Sequence, residues 1–189
     1  MILNINCVKH ELDPKLKETF EEELGFNNVQ TYYPIMDNYF KTYNFQECHQ
    51  NYVFNNIYNL DKLEINDDFL VGTLYDSQKK IYIKKQVFIK EKPILEPISY
   101  MMNKYRTINT NMCIPYSYKY SLKLFNKINL KNNSSYVDSF FAYIASKLVE
   151  QGLLPGFPLC YGSFCGISEE YIHDISEEYN TVKNTNWFI

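Results

Sequence analysis

Lys90 and Asp138 are the side chains whose types and settings point most directly to chemistry. Lys90 closes the apolar run Val87-Phe88-Ile89. A lysine ending a strand can aim its ammonium at phosphate oxygens, and a helix carboxylate can hold it there. Asp138, in the phrase Tyr136-Val137-Asp138, is the carboxylate in question. Each residue also has a plainer reading. Lys90 begins the charged triplet Lys90-Glu91-Lys92, which suits an exposed turn before Pro93. Asp138 stands three residues after Ser135 and can be the acidic partner of a capping box. Capping and phosphate-site roles compete, since a cap belongs to the helix start. Glu150, near the end of the same segment, is an alternative acid.

Other reactive side chains carry weaker signals. Cys48-His49 pairs a nucleophile with a base, but neighbouring residues on a helix or strand point in different directions. Glu18, Glu21, Glu22 and Glu23 cluster on one segment and read as a solvated helix face rather than as paired catalytic carboxylates. His173-Asp174 has the look of a catalytic loop, yet Tyr179 stands where an asparagine would be needed. The cysteines at 7, 48, 113, 160 and 165 form no Cys-x-x-Cys pair, so no zinc ribbon or thioredoxin motif is present. They read as small buried hydrophobes in a reducing compartment.

The elements that would position Lys90 and Asp138 follow from periodicity. Ser135 as N-cap opens a helix to Gln151, with Val137, Phe140, Phe141, Ile144 and Leu148 on one stripe. Gly152 suits the left-handed residue that closes a helix, and Pro155 stops any continuation. Phe157 to Phe164 reads as a buried strand after the helix, with Tyr161 and Phe164 as core aromatics. Upstream, Phe69 to Leu74 reads as a strand, Tyr75 to Lys80 as a polar turn, and Ile81 to Lys90 as a second strand. Asp13 as N-cap, Pro14 at the first turn and Gly25 past the end mark an earlier helix. Leu16, Phe20 and Leu24 form its inner side. Met1 to Val8 suits a short strand, Glu47 to Tyr58 a weak helix, Ile98 to Tyr105 a short helix, and Ser121 to Phe125 a strand.

The strand ending Val87-Phe88-Ile89-Lys90 has the shape of the Val-Ala-Ile-Lys strand of protein kinases. The phrases VFIKEKPILEPISYMMNKY (87–105) and NNSSYVDSFFAYIASKL (132–148) narrow the match. Over roughly Asn66 to Phe164 the chain resembles the N-terminal lobe of the serine/threonine protein kinase-like family of nucleocytoplasmic large DNA viruses, distantly similar to the poxvirus virion kinase. The resemblance implies an α+β fold, in which an antiparallel sheet packs against the 135–151 helix, with an α-helical N-terminal extension. It implies residues 1–65 as that extension, 66–167 as the small-lobe-like region with an insertion at 93–133, and 168–189 as a polar tail. It also implies ATP with magnesium as cofactor, with Lys90 on the phosphates and Asp138 orienting it.

The chain departs from the family where catalysis would reside. Only Gly72 lies near the position of the glycine-rich loop, and no Gly-x-Gly-x-x-Gly occurs. No His-Arg-Asp supplies a base and no Asp-Phe-Gly supplies a metal ligand. Asp68-Phe69-Leu70 lacks the glycine and precedes the lysine strand. The sequence stops where a kinase would still be completing its small lobe.

Composition sets the remaining bounds. At 189 residues the chain suits one domain or one lobe. Its 18 Tyr and 13 Phe make it aromatic, and a net charge of −3 gives no overall basic surface for nucleic acid. Lys79-Lys80 and Lys84-Lys85 read as solvated turn and strand faces. No signal peptide or membrane-length apolar run is present, which implies host cytoplasm or virion without a membrane partner. Three readings stay open. One is a truncated or degenerate viral kinase-like protein that binds ATP but needs a missing lobe to transfer phosphate. The second is a non-catalytic structural or interaction protein of a large DNA virus, with a protein partner. The third is an unrelated α+β binding module.

Overall fold

Asp13 and Pro14 start the first helix as their types predict. The Asp13 carboxylate accepts from the Lys15 amide at 2.8 Å, and Pro14 occupies the first turn, where its missing N–H costs nothing. The computed structural model describes residues 3–39, 52–66, 69–105, 114–115 and 122–188. Helix α1, Pro14–Glu18, runs on into a π-helical turn, Thr19–Glu23, and Gly25 adopts φ +67° just beyond it. Leu16 and Phe20 are buried while the four glutamates face solvent.

The molecule is α+β, with small antiparallel sheets and a few helices. Strand β1 (Cys7–Lys9) pairs with β3 (Tyr52–Phe54), and β2 (Phe26–Gln30) pairs with β7 (Cys165–Ser168). The largest sheet is a meander of β4 (Tyr58–Asn66), β5 (Phe69–Asp76) and β6 (Ile81–Val87) in that order. Its second turn is fixed by Asp76, whose buried carboxylate accepts from the amides of Gln78 and Lys79, both at 2.9 Å. The boundary expected at 65/66 falls inside β4, since Ile65 and Asn66 pair with Leu70 and Phe69. The N-terminal extension is accordingly not simply helical; it contributes β1, β2, β3 and most of β4.

The core has two parts, and they correct the expected packing. Under the meander, Leu60, Leu63 and Leu74 meet Leu12, Leu16, Phe20 and Val29. The sheet is therefore covered by α1 and its π-helical extension, not by the long helix. That helix, α4 (Ser134–Glu150), packs Tyr136 and Tyr143 against Tyr32, Tyr33, Met36 and Phe54. The reason lies in its buried stripe, which is Tyr136, Tyr143 and Lys147 with the half-buried Phe140, rather than the expected Val137 and Phe141; those two are exposed. Tyrosines buried their rings because their hydroxyls found acceptors. Tyr136 donates to the Ile128 carbonyl and Tyr143 to Asn55 Oδ1, both at 2.6 Å. The stripe turns the helix toward aromatic partners.

Several local expectations also change. Asn133, not Ser135, is the N-cap of α4, with Oδ1 accepting from the Ser135 amide at 3.0 Å. Ser135 lies in the first turn and donates its hydroxyl to the Pro93 carbonyl at 2.6 Å. Gly152, at φ +72°, follows the helix end as expected. Phe157 to Phe164 forms no strand; the Leu60 amide donates to the Tyr161 carbonyl at 2.8 Å, and the strand follows at β7. Tyr161 and Phe164 do join the sheet's core, with the Phe164 ring 5.0 Å from that of Phe20. Residues 52–54 are a strand rather than the end of a helix, and Leu122–Ile128 is a helix, α3, rather than a strand. A short helix, α2 (Pro97–Met101), begins at Pro97, and a last one, α5, spans Tyr179–Val182. Cys48, His49, Asp68 and Cys113 lie outside the described residues.

Candidate functional site

Strand β6 ends at Val87, so Lys90 lies three residues beyond the strand it was expected to terminate. Ile89 packs back against the sheet's core while Phe88 points to solvent, 71% exposed. Lys90 and Lys92, two residues apart, both reach toward Asp138. Past Pro93, the Pro93 and Ile94 carbonyls accept from Ser135 and Asn133, at 2.6 and 2.8 Å. These bonds clamp the lysine segment to the first turn of α4.

The clamp brings the two predicted site residues together. Lys90 Nζ donates to Asp138 Oδ2 at 2.7 Å across 48 residues of chain. Lys92 Nζ lies 4.0 Å from Asp138 Oδ1 and 3.4 Å from the Ser134 carbonyl. Asn133 performs the capping, which frees Asp138 from the competing role weighed for it. The Lys90 hydrogen bond, helped by the field of Lys92, holds the Asp138 carboxyl below its ordinary pKa despite slight desolvation. Two ammonium groups share one carboxylate, leaving a net positive site. Lys90 has three donors and commits one to Asp138, so it can still donate to a phosphate oxygen. Lys92 was not singled out by sequence; its two-residue spacing from Lys90 was the available signal.

Glu150, the alternative acid, is engaged elsewhere. Its Oε2 sits 3.0 Å from Lys147 Nζ, and its Oε1 accepts from the Ile57 amide at 3.2 Å. Lys147 also donates to the Asn55 carbonyl and lies over the Tyr143 ring. This buried network, anchored on Asn55, ties the end of α4 to the β3–β4 link. Gly72 is equally structural: in the middle of β5, an added Cβ would come within 2.9 Å of Val87 and 3.0 Å of Leu60. It makes room for packing rather than for phosphate.

The remaining candidates among the described residues do not form reactive centres. Burial raises the thiols of Cys7 and Cys165 to about 12 and that of Cys160 as well, so all three stay protonated at neutral pH. His173 stacks beside Tyr171 and lies 3.8 Å from Glu178, while Asp174 accepts from the amide and hydroxyl of Ser176. Among the described residues no group of His, Cys, Asp and Glu is placed to hold a metal ion. None of their helices is long and apolar enough to cross a membrane. No protein-family model matches the chain, and no curated protein or solved structure is significantly similar to it.

Proposed function

We propose that this chain is a kinase-like small lobe, of the degenerate serine/threonine kinase type found in large DNA viruses, that binds nucleotide phosphates through Lys90. The observation that carries the reading is the Lys90–Asp138 pair at 2.7 Å. A strand-following lysine held by an acid on the next long helix is what the resemblance requires. The three-stranded antiparallel meander ahead of the lysine supports it further. Asp138 orients the Lys90 ammonium, and Lys92 adds charge for a second phosphate oxygen. Magnesium would neutralise the remaining phosphate charge. The residues present supply neither base nor metal-binding loop, so phosphate transfer would need a second lobe.

The competing proposal is a non-catalytic structural or interaction protein of a large DNA virus. It is favoured by β7, which joins β2 instead of extending the meander, and by the open outer edge of β6. Thermal unfolding with and without Mg-ATP separates the two, because a ligand that binds only the folded state raises its stability by mass action. The nucleotide reading predicts an upward shift that Lys90→Ala abolishes. No shift at millimolar Mg-ATP would leave the interaction reading.

A further inference from the structure

Strand β6 is the edge of its sheet, and its far side pairs with no other strand among the described residues. Ile81, Tyr82, Lys84, Lys85 and Gln86 are all exposed, while Ile83 and Val87 are half-buried against the core that α1 shares with β4 and β5. The strand and its flanks carry Lys79, Lys80, Lys84, Lys85, Lys90 and Lys92 and one acid, Glu91, in a chain whose net charge is −3. Glu64 across the sheet accepts from Lys84 at 2.7 Å, and Asp138 is shared by Lys90 and Lys92, so the lysines still outnumber the acids beside them. Adjacent lysines 84 and 85 place one ammonium on each face, since side chains alternate along a strand. Such an edge resists pairing with itself. Antiparallel pairing of two β6 strands centred on Lys84 sets Lys84 against Lys84. The edge therefore selects an acidic strand.

The chain contains one. Glu170 to Ile175 belongs to no strand or helix, and the main chain of Tyr171–Asp174 has no backbone partner among the described residues. Ile172 is 95% exposed, which an isolated surface loop gains nothing by. Glu169, Glu170, Asp174, Glu177 and Glu178 surround it with negative charge. Laid antiparallel along β6 with Glu170 opposite Lys84, the segment sets Ile172 opposite Tyr82 and Asp174 level with Lys80. The first two matches fall on one face of the ladder, while Lys80, at φ +59° in the turn that precedes β6, lies beyond the ladder's end. We propose that β6 takes the Glu170–Asp174 segment of a second copy of this chain as an added antiparallel strand. Main-chain hydrogen bonds would supply affinity, and the alternating charged and apolar pairs would fix the register.

Sedimentation velocity of the whole chain over a concentration series tests this, with a labelled Ser168–Ser176 peptide titrated in parallel. The expected result is self-association at low salt that fades at high salt, together with peptide binding. A Lys84→Glu/Lys85→Glu variant should lose both by tenfold or more. Adding Glu170→Lys to that variant should restore self-association, which misfolding could not do. A chain that stays monomeric at low salt and ignores the peptide would overturn the proposal. So would a scrambled peptide of the same composition binding equally well, or a single-stranded oligonucleotide binding in the peptide's place.

Discussion

Helix α4 carries two lysine–carboxylate pairs, and they are opposites. Lys147 and Glu150 keep only 11% and 5% of their side-chain surface, and each has a further partner on the β3–β4 link. Lys90 and Asp138 keep 65% and 33%, and their contact joins two segments already clamped by Asn133 and Ser135. A buried charge must be fully paired, because an unpaired one is costly in a low-dielectric interior. An exposed pair contributes little stability and keeps donors in reserve. The first pair holds the fold together; the second is available for binding.

The sharpest way to break this contrast is to remove one partner from each pair. Lys147→Ala leaves Glu150 buried without its cation and should cost about 3–5 kcal/mol, measured by urea unfolding. A loss below 1 kcal/mol would mean that the buried pair is not structural. Tyr143→Phe removes the hydroxyl that donates to Asn55 and should cost about 1 kcal/mol. Asn55 Oδ1 still accepts from the Asn6 amide, so the network weakens without collapsing. Lys90→Ala should change stability by less than about 1 kcal/mol, the range of exposed ion pairs. If its cost matched that of Lys147→Ala, the distinction would fail.

The smallest effect concerns pH. The folded pKa of Asp138 is depressed, so the stabilisation from its pair is present above the unfolded carboxylate value of about 3.9 and fades as pH falls through the folded one. Stability of the native chain should therefore fall slightly more between pH 5 and pH 2, as approximate limits, than that of Asp138→Asn. Parallel unfolding curves for the two proteins across that range would show that the pair contributes nothing in solution.

Much of the local structure was legible in sequence. Asp13, Pro14 and Gly25 bounded α1, and Gly152 closed α4, because these residues act through their own backbone preferences. The Lys90–Asp138 pairing was legible only through the kinase resemblance, since nothing local links positions 48 apart. The face of α4 was misread because tyrosine and lysine counted as polar there. Tyr136, Tyr143 and Lys147 are buried with their polar tips bonded, and partners such as Asn55 and Ile128 are set by tertiary structure. The same turn of the helix explains why the meander found its cover in α1. The cap moved from Ser135 to Asn133 for a related reason: Asn133 can bond both the Ser135 amide and the distant Ile94 carbonyl.

The central claim is that Lys90 is held yet available, whereas Lys147 is committed. Lysine acetylation followed by mass spectrometry, run with and without Mg-ATP, tests it on one sample. The account predicts fast modification of Lys90, slow modification of Lys147, and protection of Lys90 alone when millimolar Mg-ATP is added. Equal reactivity of the two lysines, or a Lys90 rate indifferent to nucleotide, would contradict it.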